Sequence, residues 1–122
     1  MIKERYCSYE VARLLKEKGF DWECIGYYVD GEPNDIKHSF LGETNSDWKS
    51  RCCSAPTHQM ACDWLREMYN IHIEINFYRY SGAYRYIIKY STAPLDDIYS
   101  LELYSKYEDA VNAALECSLI LR

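Results

Sequence analysis

Residues 71–90 constrain the fold more than any other stretch of this chain. Ile71, Ile73, Ile75 and Phe77 occupy every second position, with His72, Glu74, Asn76 and Tyr78 between them. Successive side chains of a strand point to opposite faces, so this alternation predicts an antiparallel strand with one buried face. Ser81-Gly82 supplies a turn, and residues 84–90 return with Tyr84, Tyr86, Ile88 and Tyr90 in phase. A hairpin of this kind must bury its apolar side against another layer.

The layer that precedes it is a helix. Met60, Ala61, Trp64, Leu65 and Met68 recur at helical spacing and make a broad apolar face. Ser54 is the expected N-cap, Pro56 suits the first turn, and Asn70 suits the left-handed residue after the helix. An earlier helix begins after Ser8, with Glu10 in its first turn and Val11, Leu14 and Leu15 on one stripe. Gly19 is placed to end it in a left-handed turn that folds Phe20 back on Leu15. A third helix is expected to open with the capping box Ser105-Lys106-Tyr107-Glu108 and to continue through Ala110, Val111, Ala114, Leu115 and Ser118.

Between the first two helices, Cys24–Val29 and residues 36–41 read as a hairpin around the turn cluster Asp30-Gly31-Glu32-Pro33-Asn34-Asp35. Residues 42–53 are polar apart from Trp48 and read as a mobile loop. Residues 92–97 form a second loop containing Pro94, and residues 98–104 add an extended segment. The chain is therefore expected to be one α+β domain over residues 1–122. It would have three helices and an antiparallel sheet of four to five strands, in the order α-β-β-α-β-β-(β)-α.

Chemistry is harder to find. Six cysteines (Cys7, Cys24, Cys52, Cys53, Cys62 and Cys117) accompany a start without the apolar run of a secretion signal. The expectation is a cytoplasmic protein with reduced thiols that serve as packing residues. Cys52, Cys53, His58 and Cys62 are the sharpest metal-like cluster, because residues 58 and 62 share a helix face. There is no Cys-x-x-Cys knuckle, however, and no metal or cofactor is expected. No local signature joins a cysteine to His38, His58 or His72 as a nucleophile pair. Asp96-Asp97 reads as an ordinary turn, and Glu108-Asp109 as helix capping. With neither a phosphate-binding loop nor an HExxH motif, no residue is assigned a catalytic role.

Tyrosine stands out, with 13 residues against 3 Trp and 3 Phe. Tyr78, Tyr80, Tyr84, Tyr86 and Tyr90 are interleaved with Arg79, Arg85 and Lys89. The favoured reading is that one tyrosine face covers the helices and the other carries its hydroxyls in water. The same pattern also suits a protein-contact surface or, in miniature, a single-stranded nucleic-acid platform. A net charge of -5 argues against nucleic acid. The leading expectation is thus a non-enzymatic protein that acts by protein–protein interaction, through the Tyr-rich sheet or the 42–53 loop, as a homodimer or with another protein. The alternative is a small enzyme or ligand binder with a pocket between helices and sheet; single-stranded nucleic-acid binding is third.

Four short stretches carry a resemblance: Ala55-Pro56-Thr57, Trp64-Leu65-Arg66-Glu67, Ile71-His72-Ile73 and Tyr107-Glu108-Asp109-Ala110. Here the chain resembles small uncharacterised proteins encoded by phages, prophages and mobile elements of gut Bacteroides-type bacteria. The resemblance implies an accessory gene in a bacterial cytoplasmic setting and assigns no activity to any residue.

Overall fold

A computed structural model describes residues 5–48, 51–90 and 96–121. The elements run α1 (Tyr9–Glu17), β1 (Cys24–Val29), β2 (Lys37–Glu43), β3 (Cys52–Ser54), α2 (His58–Tyr69), β4 (Ile71–Tyr78), β5 (Ala83–Tyr90), β6 (Ile98–Tyr99) and α3 (Tyr107–Ile120). The α+β class and the three helices are as expected. The single sheet is not: there are two antiparallel three-stranded sheets, ordered β2-β1-β3 and β4-β5-β6. β1 has β2 on one edge and β3 on the other, and β5 has β4 and β6. Both central strands are therefore paired on both sides, and among the described residues no strand pairing joins the two sheets.

The helix ends follow local chemistry. The Ser8 side chain accepts a hydrogen bond from the Val11 amide and caps α1. At its other end Phe20 N–H donates to Leu15 C=O (2.9 Å) and Gly19 N–H to Lys16 C=O (3.2 Å), with Gly19 at φ 93°. This is the expected left-handed closure. Asn70, at φ 55°, ends α2 in the same conformation. Two expected caps are not used. Thr57 rather than Ser54 caps α2, accepting from the Met60 amide. Residues 54–56 remain extended because Ala55 N–H is bonded to Gly26 C=O and Pro56 C=O accepts from Cys7 N–H. The Ser105 capping box does not form either. Tyr104 exchanges both backbone hydrogen bonds with Tyr84, the cap position moves to Lys106, and no side chain caps α3.

The main core gathers α1, α2, α3 and the inner face of the β4-β5 hairpin around Leu15, Phe20, Trp64, Leu65, Ile88 and Leu115. Ala12, Tyr28, Cys53 and Ala55 form a smaller cluster beneath β1 and β3. Cys7, Cys24 and Cys53 are buried, Cys52, Cys62 and Cys117 are half-buried, and all six are free thiols. The expected extended segment 98–104 reduces to β6 and the Tyr104 bridge. Most of the expected 92–97 loop, through residue 95, lies outside the described residues, as do residues 49–50 of the expected 42–53 loop.

Candidate functional site

The Tyr-rich hairpin is divided by its own register. Ile71 pairs with Tyr90, Ile73 with Ile88, Ile75 with Tyr86 and Phe77 with Tyr84. Directly paired residues share a face, so Tyr84, Tyr86 and Tyr90 lie on the Ile side, toward the helices. Tyr84 meets Tyr107 of α3 edge to face, and Tyr86 stacks near Tyr104. The outer face keeps Tyr78, with the Arg85 guanidinium 5.4 Å from its ring centre, while Lys89 is paired with Glu74. Tyr80 stands at the turn, fully exposed. The alternation of aromatic and basic residues in sequence therefore does not become one surface. Tyrosines and cations lie on opposite faces or are already paired, so the hairpin offers no continuous row of rings on which bases could stack.

The polar 42–53 segment is also different from expectation. Its ends are strand, in β2 and β3, and its described middle is held to the body. Asn45, only 9 % exposed, donates from Nδ2 to Phe20 C=O (2.7 Å) and accepts from Ser54 N–H at Oδ1 (2.9 Å). Ser46 bonds the Asp21 carboxylate through both its amide and its hydroxyl. Trp48 stacks on Tyr27 at 4.4 Å and donates from Nε1 to Ser54 Oγ. Trp48 is thus half-buried and engaged within the fold.

What sequence reading missed is a bulge on β2. Cys24 pairs with Glu43 and Gly26 with His38, so Ser39, Phe40, Leu41 and Gly42 lie opposite Ile25 alone. The surplus residues turn outward, leaving Phe40 105 % and Leu41 83 % exposed beside the half-exposed Ile25. Gly42 closes the bulge at φ 68°, and a Cβ there would come 2.3 Å from the Glu23 carboxylate. The left-handed φ favours glycine, and any larger residue would also have to displace the flexible Glu23 side chain. In sequence, Ile36, His38 and Phe40 alternate as one side of a regular strand and give no sign of the surplus residues.

The cysteine–histidine cluster separates in space. Cys52 and Cys53 belong to β3, and Cys53 packs beneath β1 with Ala12 and Tyr28. His58 and Cys62 instead share the face of α2 that lines a cleft of about 470 Å³. Among the described residues, no three His, Cys, Asp or Glu side chains are grouped so as to hold a metal. Burial pushes the Cys53 and Cys62 thiols up to about 11 and Cys24 to about 12. Burial also raises the fully enclosed Cys7 well above the ordinary thiol value. An activated thiolate needs the opposite environment.

The cleft lies between α2, β4 and α3. Ile73, Ile75, Val111 and Tyr107 form its apolar wall, and Arg5, Gln59, Asp63 and Arg66 its polar rim. His58 is 8 % exposed, and its Nε2 is buried with no hydrogen-bond partner among the described residues. Burial lowers its pKa below 6.5, partly opposed by a hydrogen bond with the Asn112 side chain. The ring is therefore neutral at pH 7. A concave site between helices and sheet thus exists, with a size ordinary for ligand clefts. His72 is half-buried at the opposite side of β4, in an adjoining cleft of about 490 Å³ that shares Cys62, Arg66 and Ile73 with the first. No described helix is long and apolar enough to cross a membrane. No protein-family model, curated protein or solved structure matches this chain.

Proposed function

We propose that this is a non-enzymatic accessory protein that acts by binding another protein, and that the contact is the Phe40–Leu41 bulge of β2. The observation that carries this reading is the exposure of those two side chains on an edge strand, in a bulge closed by Gly42 at a left-handed φ. Exposed single apolar residues are common, but adjacent large ones on a bulged edge, with Ile25 beside them, resemble the anchors of interaction surfaces. The resemblance to phage and mobile-element proteins supports an accessory role in a bacterial cytoplasm. Two contact surfaces expected from sequence carry less weight, since Trp48 is stacked on Tyr27 and three of the five hairpin tyrosines face the helices.

The test compares wild type with Phe40→Asp/Leu41→Asp as bait in bacterial extract, with Tyr80→Ala as control. Light scattering of each protein alone reports self-association. Under this proposal a partner or a dimer is present with wild type and with Tyr80→Ala, and lost with the bulge variant. Equal recovery by the bulge variant sinks the assignment, provided its melting temperature is unchanged.

A further inference from the structure

The two sheets treat their long edges differently. β2 is blunted by its bulge, whereas β4 pairs with β5 through eight successive register positions, without a bulge or a proline. Among the described residues nothing pairs with the other side of β4, which is the outer strand of its sheet. Proteins usually protect such an edge, because its unpaired N–H and C=O groups template another strand. Alongside β4, the two clefts that share Cys62, Arg66 and Ile73 make one groove between the strand and α2.

The groove has the parts that recognise an extended chain. Main-chain pairing to a sheet edge supplies affinity, and pockets for alternate side chains supply specificity. Ile73 and Ile75, with Val111 and Tyr107, form an apolar pocket. Arg66 lines both clefts, and Arg5 stands at the end nearest the start of α2. Arg66 is paired with Asp63, but both side chains are partly exposed, so the guanidinium has donors left for a second carboxylate. Along the two clefts Arg5, Arg66 and Lys89 stand against Asp63 and Glu74, three cations to two carboxylates, with Arg66 and Lys89 each shared with one of them. The small positive excess favours an acidic ligand locally. At about 3.4 Å per residue, eight strand residues span roughly 27 Å, enough for a five- or six-residue segment.

We infer that the α2–β4 groove binds an extended peptide that adds as a strand to β4, with an apolar side chain on Ile73 and Ile75 and a carboxylate at Arg5 and Arg66. This site is separate from the β2 bulge and does not depend on it.

The probe is a displayed library of random heptapeptides selected on the immobilised protein. Enriched peptides should carry apolar residues at alternate positions and an acidic side chain or free C-terminus. The best binder, made synthetically, should lose at least tenfold in affinity when alternate backbone nitrogens are methylated, because pairing needs their N–H groups. Arg66→Glu and Arg5→Glu should each weaken it at least tenfold, while Phe40→Asp/Leu41→Asp leaves it unchanged. Amides of β4 should gain hydrogen-exchange protection with the peptide. No enrichment, full tolerance of N-methylation, or indifference to both arginine variants each overturns the proposal. A dimer whose β4 amides are protected without peptide also overturns it, since a second copy would then be the occupant.

Discussion

Replacing Asn45 by Ala tests whether the segment between β2 and β3 is a structural clasp. Its side chain joins three elements: the turn after α1 through Phe20 C=O, the segment itself, and β3 through Ser54 N–H. Phe20 and Ser54 are both enclosed, so truncation strands one buried acceptor and one buried donor. Each unsatisfied buried group costs about 1–3 kcal/mol, and a water entering the vacated space would return part of that. We expect a loss of about 2–4 kcal/mol, a large share of the 5–15 kcal/mol or so typical of a domain. Urea unfolding followed by tryptophan fluorescence reads this directly through Trp48 and the buried Trp64. With a slope of about 1–3 kcal/mol/M, the midpoint should fall by roughly 1–2 M at unchanged slope. Ser46→Ala is the control. It also ties the segment to the body, through Asp21, but in an exposed position where a lost bond is remade with water. Its cost should stay under about 1 kcal/mol. If Asn45→Ala costs no more than Ser46→Ala, burial does not set the value of these bonds and the clasp reading is wrong.

Native alkylation with iodoacetamide at pH 8 should label Cys52 and Cys117 first. Thiols raised to about 11, such as Cys53 and Cys62, expose roughly one thiolate in a thousand at that pH. Peptide mass spectrometry showing Cys53 or Cys62 reacting as fast as Cys52 would contradict the burial argument. Stability should also depend on pH through His58. Because its folded pKa lies below the unfolded 6.5, the unfolded chain binds the proton more readily. Stability is therefore full above pH 6.5, declines as pH falls through it, and levels off below the folded value. Asp21 and Asp47 are held below 3.8 by hydrogen bonds from Ser46 and Thr44 respectively, and add their own losses only in more acid solution. His58→Gln should flatten the decline around pH 6; an unchanged profile would show that another group causes it.

What could be read from the chain alone was local. Ser8, Gly19 and Asn70 act on backbone groups within a few residues, so the start of α1 and the ends of α1 and α2 follow from their chemistry. The β4-β5 hairpin follows from period-two alternation around Ser81-Gly82 for the same reason. Where a distant segment competes, local signals lose. Ser54 and Ser105 are sound capping residues, but backbone pairing of residues 55–56 and 104 holds the chain extended past them. Composition made residues 42–53 a loop, yet pairing with β1 turns their ends into strand and buries Asn45. The candidate sites are tertiary throughout. The register of β5 against β4 sends Tyr84, Tyr86 and Tyr90 inward, and surplus residues on β2 push Phe40 and Leu41 out. The groove that brings Arg5, Arg66 and Ile73 together exists because α2 packs beside an edge strand with no further partner among the described residues. Hydrophobic periodicity states which side of an element is apolar. Which elements meet is settled by strand edges left unpaired once each hairpin has closed, and those are contacts between residues far apart in the chain.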